Sequence, residues 1–411
     1  MDLDGVSSGG PGRVDWDRDI LRGTRGNVKE PRSCGSAFAM ISSMKITSIA
    51  ISHHRLPLAP PFHAAWDSRP RTGFRATVVR VATDAGLTGI GSGDLMLGFE
   101  GHQDLFLGRD PLDLDRHARV IENLSFHYGR CWPLDLALWD LAGKIKGEPC
   151  WRLLGGRSGR QRVYASSGTS RGPAAMADAA RAYLACGFPA LKIRFQRPDW
   201  REDVAMVAAV RAAVGDRLVL MVDCNQGWRM PWDTADPWTL ATATEVAQAL
   251  DEFDVFWMEE PLHRADYAGM AELRRRAKVR IAGGELNREI HEFRTLLERE
   301  CLDVYQPDAT MVGGITGLAR LGREVLARGL AFTPHTWGDG LAVAANAQLA
   351  AGIGAGPYLE FPFDPPEWTL ERRDFILAQP LQATAEGYVE LSDRPGFGVE
   401  LDEAALARTR L

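Results

Sequence analysis

None of the six cysteines (Cys34, Cys131, Cys150, Cys186, Cys224 and Cys301) has a C-x-x-C neighbour, which argues against both a zinc site and a disulfide framework. They are expected to be reduced and mostly buried, Cys224 included, although it directly follows Asp223. No stretch reaches the roughly 18 consecutive apolar residues that a bilayer crossing requires, so no membrane partner and a cytoplasmic location are expected. Nor is there a block of charge of one sign behind the net charge of −6, which argues against nucleic acid or an anionic membrane surface as partner. What remains is a small-molecule partner. The 411 residues, 45% apolar and 25% charged, suffice for a barrel with an accessory domain or for two separate domains.

Residues 1–43 are rich in Gly, Ser, Arg and Asp, with neither a period nor an apolar signal core, and disorder is expected there. Met44, where a strand pattern begins, reads as a natural start. Strands are expected at 45–57, at 75–83 and from Leu87 to Asp94 after the Asp84-Ala85-Gly86 turn, as an antiparallel meander. Between the first two, PPFHAAWDSRPRTG has no period and reads as a mobile flap carrying His63 and Trp66, able to close over a substrate or to remain a plain surface loop. Helices follow at 112–124 and 132–147; in the second, Leu134, Leu138, Leu141 and Ile145 repeat at three and four residues, and Gly147 and Pro149 end it.

From Val163 onward eight strand-like runs alternate with helical stretches: 163–167, 190–194, 218–223, 255–260, 279–285, 302–307, 330–335 and 357–361. Eight such units favour a parallel β/α barrel over a doubly wound sheet. In such barrels the chemistry sits at the C-terminal strand ends, where Lys192, Asp223, Glu259, Glu285, Asp308, His335 and Glu360 fall. Singly, an acid after a strand serves as well as a helix cap or a rim salt bridge. Asp223, Glu259 and Glu285 close three consecutive strands, and hard oxygen donors on a rigid rim suit Mg²⁺. Lys192 and Arg194, two residues apart on one strand, share a face; they could meet a substrate carboxylate or simply pair with the rim acids. Arg194 is a poor base, because a guanidinium hardly deprotonates. Asp308 and His335 close adjacent strands, so the carboxylate can orient the imidazole as a general base.

With these residues in hand, the chain resembles the enolase superfamily, specifically its mandelate racemase subgroup. The motifs, in order, are DLALWDLAGK at 135–144, LLGGR at 153–157, KIR at 192–194, VDCNQ at 222–226, MEEP at 258–261, GGE at 283–285, QPD at 306–308 and PHTWG at 334–338. The resemblance implies a modified (β/α)8 TIM-type barrel at 158–362, an α+β capping domain at 44–157, and a C-terminal segment, 363–411, that returns to the cap. It further implies Asp223, Glu259 and Glu285 as Mg²⁺ ligands and Lys192 on the substrate carboxylate and enolate oxygen. The Asp308–His335 dyad becomes the base, Glu360 hydrogen-bonds the enolate oxygen, and Asn225 is a second polar contact; Trp337, in PHTWG, joins His63 and Trp66 as a substrate contact. A homo-oligomer is implied as well. Arg194 departs from the subgroup's second lysine, which puts two-base racemisation in doubt. The expected activity is therefore that of a hydro-lyase: loss of the proton α to the carboxylate of an acid sugar, then loss of the β-hydroxyl, to a 2-keto-3-deoxy acid. The alternatives are a cycloisomerase or epimerase of a sugar acid or its lactone, and a metal- and acid-sugar-binding protein without catalysis.

Overall fold

Alternation of buried and exposed side chains along two long runs builds the first sheet of the computed structural model, which describes residues 44–411. The expected disorder of residues 1–43, and Cys34 with it, lie outside the described residues. Strand β1 (Ile46–Phe62) pairs antiparallel with β2 (Arg71–Thr83), and β2 with β3 (Thr88–Gly93). Both β1 and β2 run further than their apolar patterns suggest, so the turn between them is His63–Pro70, shorter than the expected flap. Helices α1 (Leu114–His127) and α2 (Trp132–Lys146) cover the sheet. Gly89 and Gly91 make the fit of β3 against α2 possible: a Cβ there would stand 2.1 Å from the Ala137 carbonyl oxygen and 2.2 Å from that of Pro133. The two acids of the DLALWD motif are buried tethers. Asp135 accepts from the Thr316 amide and hydroxyl, and Asp140 from the amides of Ile90 and Phe397.

A helical turn, α3 (Cys150–Leu153), leads into eight β/α units. The first four are β4 (Arg160–Ser166), α4 (Pro173–Ala185), β5 (Ala190–Arg194), α5 (Trp200–Val214), β6 (Val219–Asp223), α6 (Leu240–Leu250), β7 (Val255–Glu259) and α7 (Tyr267–Arg276). The next are β8 (Arg280–Gly283), α8 (Ile290–Glu298), β9 (Val304–Tyr305), α9 (Gly314–Ala327), β10 (Ala331–Phe332), α10 (Gly340–Ile353), β11 (Leu359–Pro362) and α11 (Leu370–Arg373). The strands are parallel, in the order β10-β9-β8-β7-β6-β5-β4-β11. The curled sheet closes between its end strands without a ladder. An isolated bridge joins Phe332 to Gly356, and Thr336 binds Glu360 through its amide and hydroxyl.

β9 and β10 are two residues each, much shorter than the apolar runs that foretell them, because Pro307 and Pro334 have no N–H to extend a ladder. The C-terminal segment adds one more short strand. β12 (Tyr388–Glu390) pairs with β4, after which Gly396 and Gly398 turn the chain at φ 78° and 71°. The chain then reaches β1 as a helix, α12 (Glu403–Thr409), whose Leu406 carbonyl accepts from His54. Among the described residues no helix is long and apolar enough to cross a membrane.

Candidate active site

Strand geometry brings the seven strand-end residues together. In a parallel sheet, matched C-terminal ends converge on one rim, and β5, β6 and β7 pair Arg194 with Asp223 and Asp223 with Glu259 in register. Asp223, Glu259 and Glu285 are buried, and each offers a carboxylate oxygen within 4.8 Å of those of the other two. Glu259 Oε2 is steadied by Trp257 Nε1 at 3.2 Å and Gln306 Nε2 at 2.7 Å, and Glu285 Oε1 by Trp228 Nε1 at 2.7 Å. Glu285 Oε2, by contrast, is buried without a hydrogen-bond partner. Burial and the neighbouring carboxylates outweigh Lys192 and push Glu259 up to about 8. Asp223, Glu259, Glu285 and Glu360 are thus crowded together out of water, and a divalent ion would relieve their mutual repulsion. The all-oxygen donor set and the orphaned Glu285 oxygen fit a hard cation such as Mg²⁺.

Lys192 and Arg194 form the opposite wall, and both do pair with the rim acids. Lys192 Nζ lies 2.6 Å from Glu259 Oε1 and 2.9 Å from Glu360 Oε1, and it is wholly buried. Burial alone would discharge it, but the surrounding carboxylates hold it charged above the ordinary lysine range. Arg194 is fixed more fully. It forms an ion pair with Asp223, donates to the Ser167 carbonyl at 3.0 Å and to Ser166 Oγ at 3.2 Å, and its guanidinium lies 4.7 Å from the Trp66 ring and 5.5 Å from Trp337. Glu360, between these cations and His335, overcomes its burial and is held below the usual carboxylate range.

Asp308 and His335 meet, although each lies in a loop three residues beyond its strand, β9 or β10, rather than closing it. His335 Nδ1 lies 3.0 Å from Asp308 Oδ2, and Asp308 Oδ1 is in turn fixed by the Thr310 amide and hydroxyl and by Asn346 Nδ2 at 2.9 Å. Asn346 sits in α10, a helix buried all round, so the carboxylate is oriented by the barrel wall itself. With Nδ1 donating to Asp308, Nε2 is turned towards the acidic cluster, 3.6 Å from Glu285 Oε2. Burial lowers the imidazole, but Glu285, Glu360 and Asp308 more than offset it and raise His335 to about 9.

The expected substrate contacts divide. Trp66 and Trp337 meet over Arg194 with ring centroids 4.7 Å apart, and Trp337 Nε1 donates to Ser166 Oγ. Asn225, at φ 50°, commits its amide nitrogen to the Phe195 carbonyl and leaves Oδ1 3.4 Å from Arg194 Nη1. His63 does not join them. β1 continues to Phe62, and alternation buries Phe62 and Ala64 while leaving His63 exposed, with no hydrogen bond or ring contact to the site among the described residues. Cys224 is buried and its thiol is raised by burial, consistent with packing. Unforeseen members are Trp257, Gln306, Ser166 and Asn346. The first two had a signal: each lies two residues before a proposed functional acid and so shares its face.

Residues 46–155 match the family described as mandelate racemase / muconate lactonizing enzyme, N-terminal domain, and residues 175–405 the family described as enolase C-terminal domain-like. A 3,6-anhydro-alpha-L-galactonate cycloisomerase from Streptomyces coelicolor is 34% identical over 67% of this chain and 70% of its own length. An L-talarate/galactarate dehydratase from Salmonella typhimurium is 29% identical over 89% of this chain and 92% of its own. Among solved structures, a racemase from Streptomyces coelicolor with bound magnesium superposes with a TM-score of 0.77 at 28% identity, over 89% of this chain and all of that one.

Proposed function

The chain belongs to the mandelate racemase / muconate lactonizing enzyme family of the enolase superfamily, and on that premise we propose that it is an Mg²⁺-dependent acid-sugar dehydratase. Its relatives include acid-sugar dehydratases and cycloisomerases. Asp223, Glu259 and Glu285 would hold the ion. The chemistry a bound Mg²⁺ supplies is withdrawal of charge from the substrate carboxylate, which acidifies the α-proton, as is general for this superfamily.

The chain's own residues do the rest. Lys192 attracts the carboxylate and can donate to the oxygen on which charge collects, while the ionised Glu360 beside it holds the ammonium in place. His335 in its neutral form takes the α-proton at Nε2 while Nδ1 stays on Asp308. The electron pair left on the α-carbon forms a double bond to the β-carbon, the β-hydroxyl departs with the proton that His335 returns, and water leaves. The enol that remains tautomerises to a 2-keto-3-deoxy acid. The observation that carries this reading is the asymmetry of the two walls: one carboxylate-oriented imidazole faces the acidic cluster, and the wall opposite offers only a lysine and an arginine locked in ion pairs.

Incubation of the Mg²⁺-loaded enzyme with a library of acid sugars, read by semicarbazide for 2-keto acids, tests it. A positive sugar acid is expected; a blank across the library sinks the dehydratase reading. A second reading, cycloisomerisation of a sugar acid or its lactone, is favoured by the 34% identical relative, which is itself a cycloisomerase, and needs only one base. It would show as conversion of a lactone or anhydro acid without semicarbazide-positive product.

A further inference from the structure

The clustered acids are tethered unequally. Asp223 and Glu259 are the last residues of β6 and β7 and pair across the ladder, so backbone register fixes where their side chains start. Glu285 lies two residues beyond β8, after Gly284 at φ 109°, where a Cβ would stand 2.6 Å from the Phe293 ring. No ladder holds it. Its side chain is placed instead by one hydrogen bond, from Trp228 Nε1 to Oε1 at 2.7 Å, the single one it makes among the described residues. Trp228 can carry that task because its own loop is pinned. The Gly227 carbonyl accepts from the Arg264 amide at 3.1 Å, and the Trp228 carbonyl from Arg229 Nη1 at 3.1 Å.

Across the cluster, one oxygen of each acid is committed to an uncharged N–H. Asp223 Oδ1 accepts from the Asn225 amide at 2.9 Å, Glu259 Oε2 from Trp257 and Gln306, and Glu285 Oε1 from Trp228. The remaining oxygens meet only charge or nothing. Asp223 Oδ2 and Glu259 Oε1 face Lys192, the former Arg194 as well, and Glu285 Oε2 has no hydrogen-bond partner. To embrace an ion with both oxygens, each acid would have to turn one of them off its N–H. Ca²⁺ takes roughly six to eight oxygens, often from bidentate carboxylates, whereas Mg²⁺ demands a near-ideal octahedron and keeps several waters. Carboxylates that offer one oxygen apiece suit Mg²⁺ and starve Ca²⁺.

Resting on the Mg²⁺ reading above, we propose that Trp228 is a positioning residue that selects the ion: by keeping Glu285 Oε1 on its indole it leaves Oε2 alone for the metal, and so favours Mg²⁺ over Ca²⁺. Glu285 is where selection is decided, because it has one tether and a glycine behind it. Glu259 would keep Gln306 on the same oxygen if the Trp257 N–H were lost, and Asp223 is held by a backbone amide.

The test is calorimetric titration of the full chain with MgCl₂ and with CaCl₂. The unmodified protein is expected to bind Mg²⁺ the more tightly. Trp228→Phe keeps a ring and removes the N–H. It should weaken Mg²⁺ about tenfold, the lower end of what outer-shell partners of a metal site contribute, and leave Ca²⁺ unchanged or tighter, with metal-free thermal unfolding as in the parent. Trp257→Phe should lower the preference for Mg²⁺ less. Equal weakening of both ions by Trp228→Phe, no change in either, or a parent that prefers Ca²⁺ overturns the role of Trp228 and leaves the three acids standing as ligands. A second measurement needs only the parent: by NMR the Trp228 indole proton should exchange slowly with solvent before and after Mg²⁺ is added, and its release on Mg²⁺ binding overturns the role equally. Failure of both ions to bind the parent removes the ligand assignment and the proposal with it.

Discussion

The two walls of the site treat charge in opposite ways. On the Lys192–Arg194 wall every charge is fixed: Lys192 bridges Glu259 and Glu360, and Arg194 is held by Asp223, two serine oxygens and two tryptophan rings. On the Asp308–His335 wall only one imidazole nitrogen is fixed, and the other faces a carboxylate oxygen that has no hydrogen-bond partner. A permanently charged guanidinium can attract and orient but not exchange protons, whereas a histidine can do both. On the function proposed above, proton traffic in this pocket is one-sided, because the side chain at position 194 is a guanidinium and cannot take its share.

The largest effect comes from removing the mobile side. His335→Asn should lower turnover by about a thousandfold or more, the range general acid–base catalysis contributes, and abolish exchange of the α-proton in D₂O. Because His335 is not among the three clustered carboxylates, Mg²⁺ binding measured by calorimetry should persist. Retained exchange would take the dyad out of the reaction. The fixed side is broken by Arg194→Lys. The shorter ammonium gives up the bonds to Ser166 and Ser167, so a loss of about tenfold in kcat is expected, comparable to one or two charged hydrogen bonds, with thermal unfolding little changed. The informative readout is stereochemical: deuterium entering from the face opposite His335 in the variant, and from one face alone in the parent. Two-faced exchange in the parent would erase the contrast between the walls.

How much of this was legible in the sequence depends on how local each feature is. Asp223, Glu259, Glu285, Asp308 and His335 each end an apolar run, and a barrel rim converts that one-dimensional signal into convergence, so the cluster was readable residue by residue. His63 was misread because Pro60 and Pro61 interrupt the alternation; the strand nevertheless runs through them to Phe62, and parity then puts the imidazole outside. The sandwich of Arg194 between Trp66 and Trp337 joins residues far apart in the chain and has no local signature. The same holds for Asn346, which reads as a polar blemish in an apolar helix until Asp308 is seen against it.

The smallest expected effect tests whether the two walls communicate through the acids between them. His335 is raised to about 9 chiefly because, against its burial, Glu285 and Glu360 place negative charge beside it. An Mg²⁺ ion held by Glu285 would neutralise part of that charge, so the loaded enzyme must have the lower His335 pKa. Between the two pKa values the loaded form then binds fewer protons than the free form, and by linkage raising the pH through that window tightens Mg²⁺. Glu259, pushed up to about 8, titrates in the same sense, since an ion bound there also displaces its proton. His335→Asn separates the two contributions. Calorimetric Mg²⁺ titrations across the pH range should show the parent's affinity rising faster with pH than the variant's, by up to about tenfold per unit for one extra proton, and the two slopes converging above about 9. Identical slopes would mean that the imidazole does not sense the ion, and that the mobile wall is set by Asp308 alone.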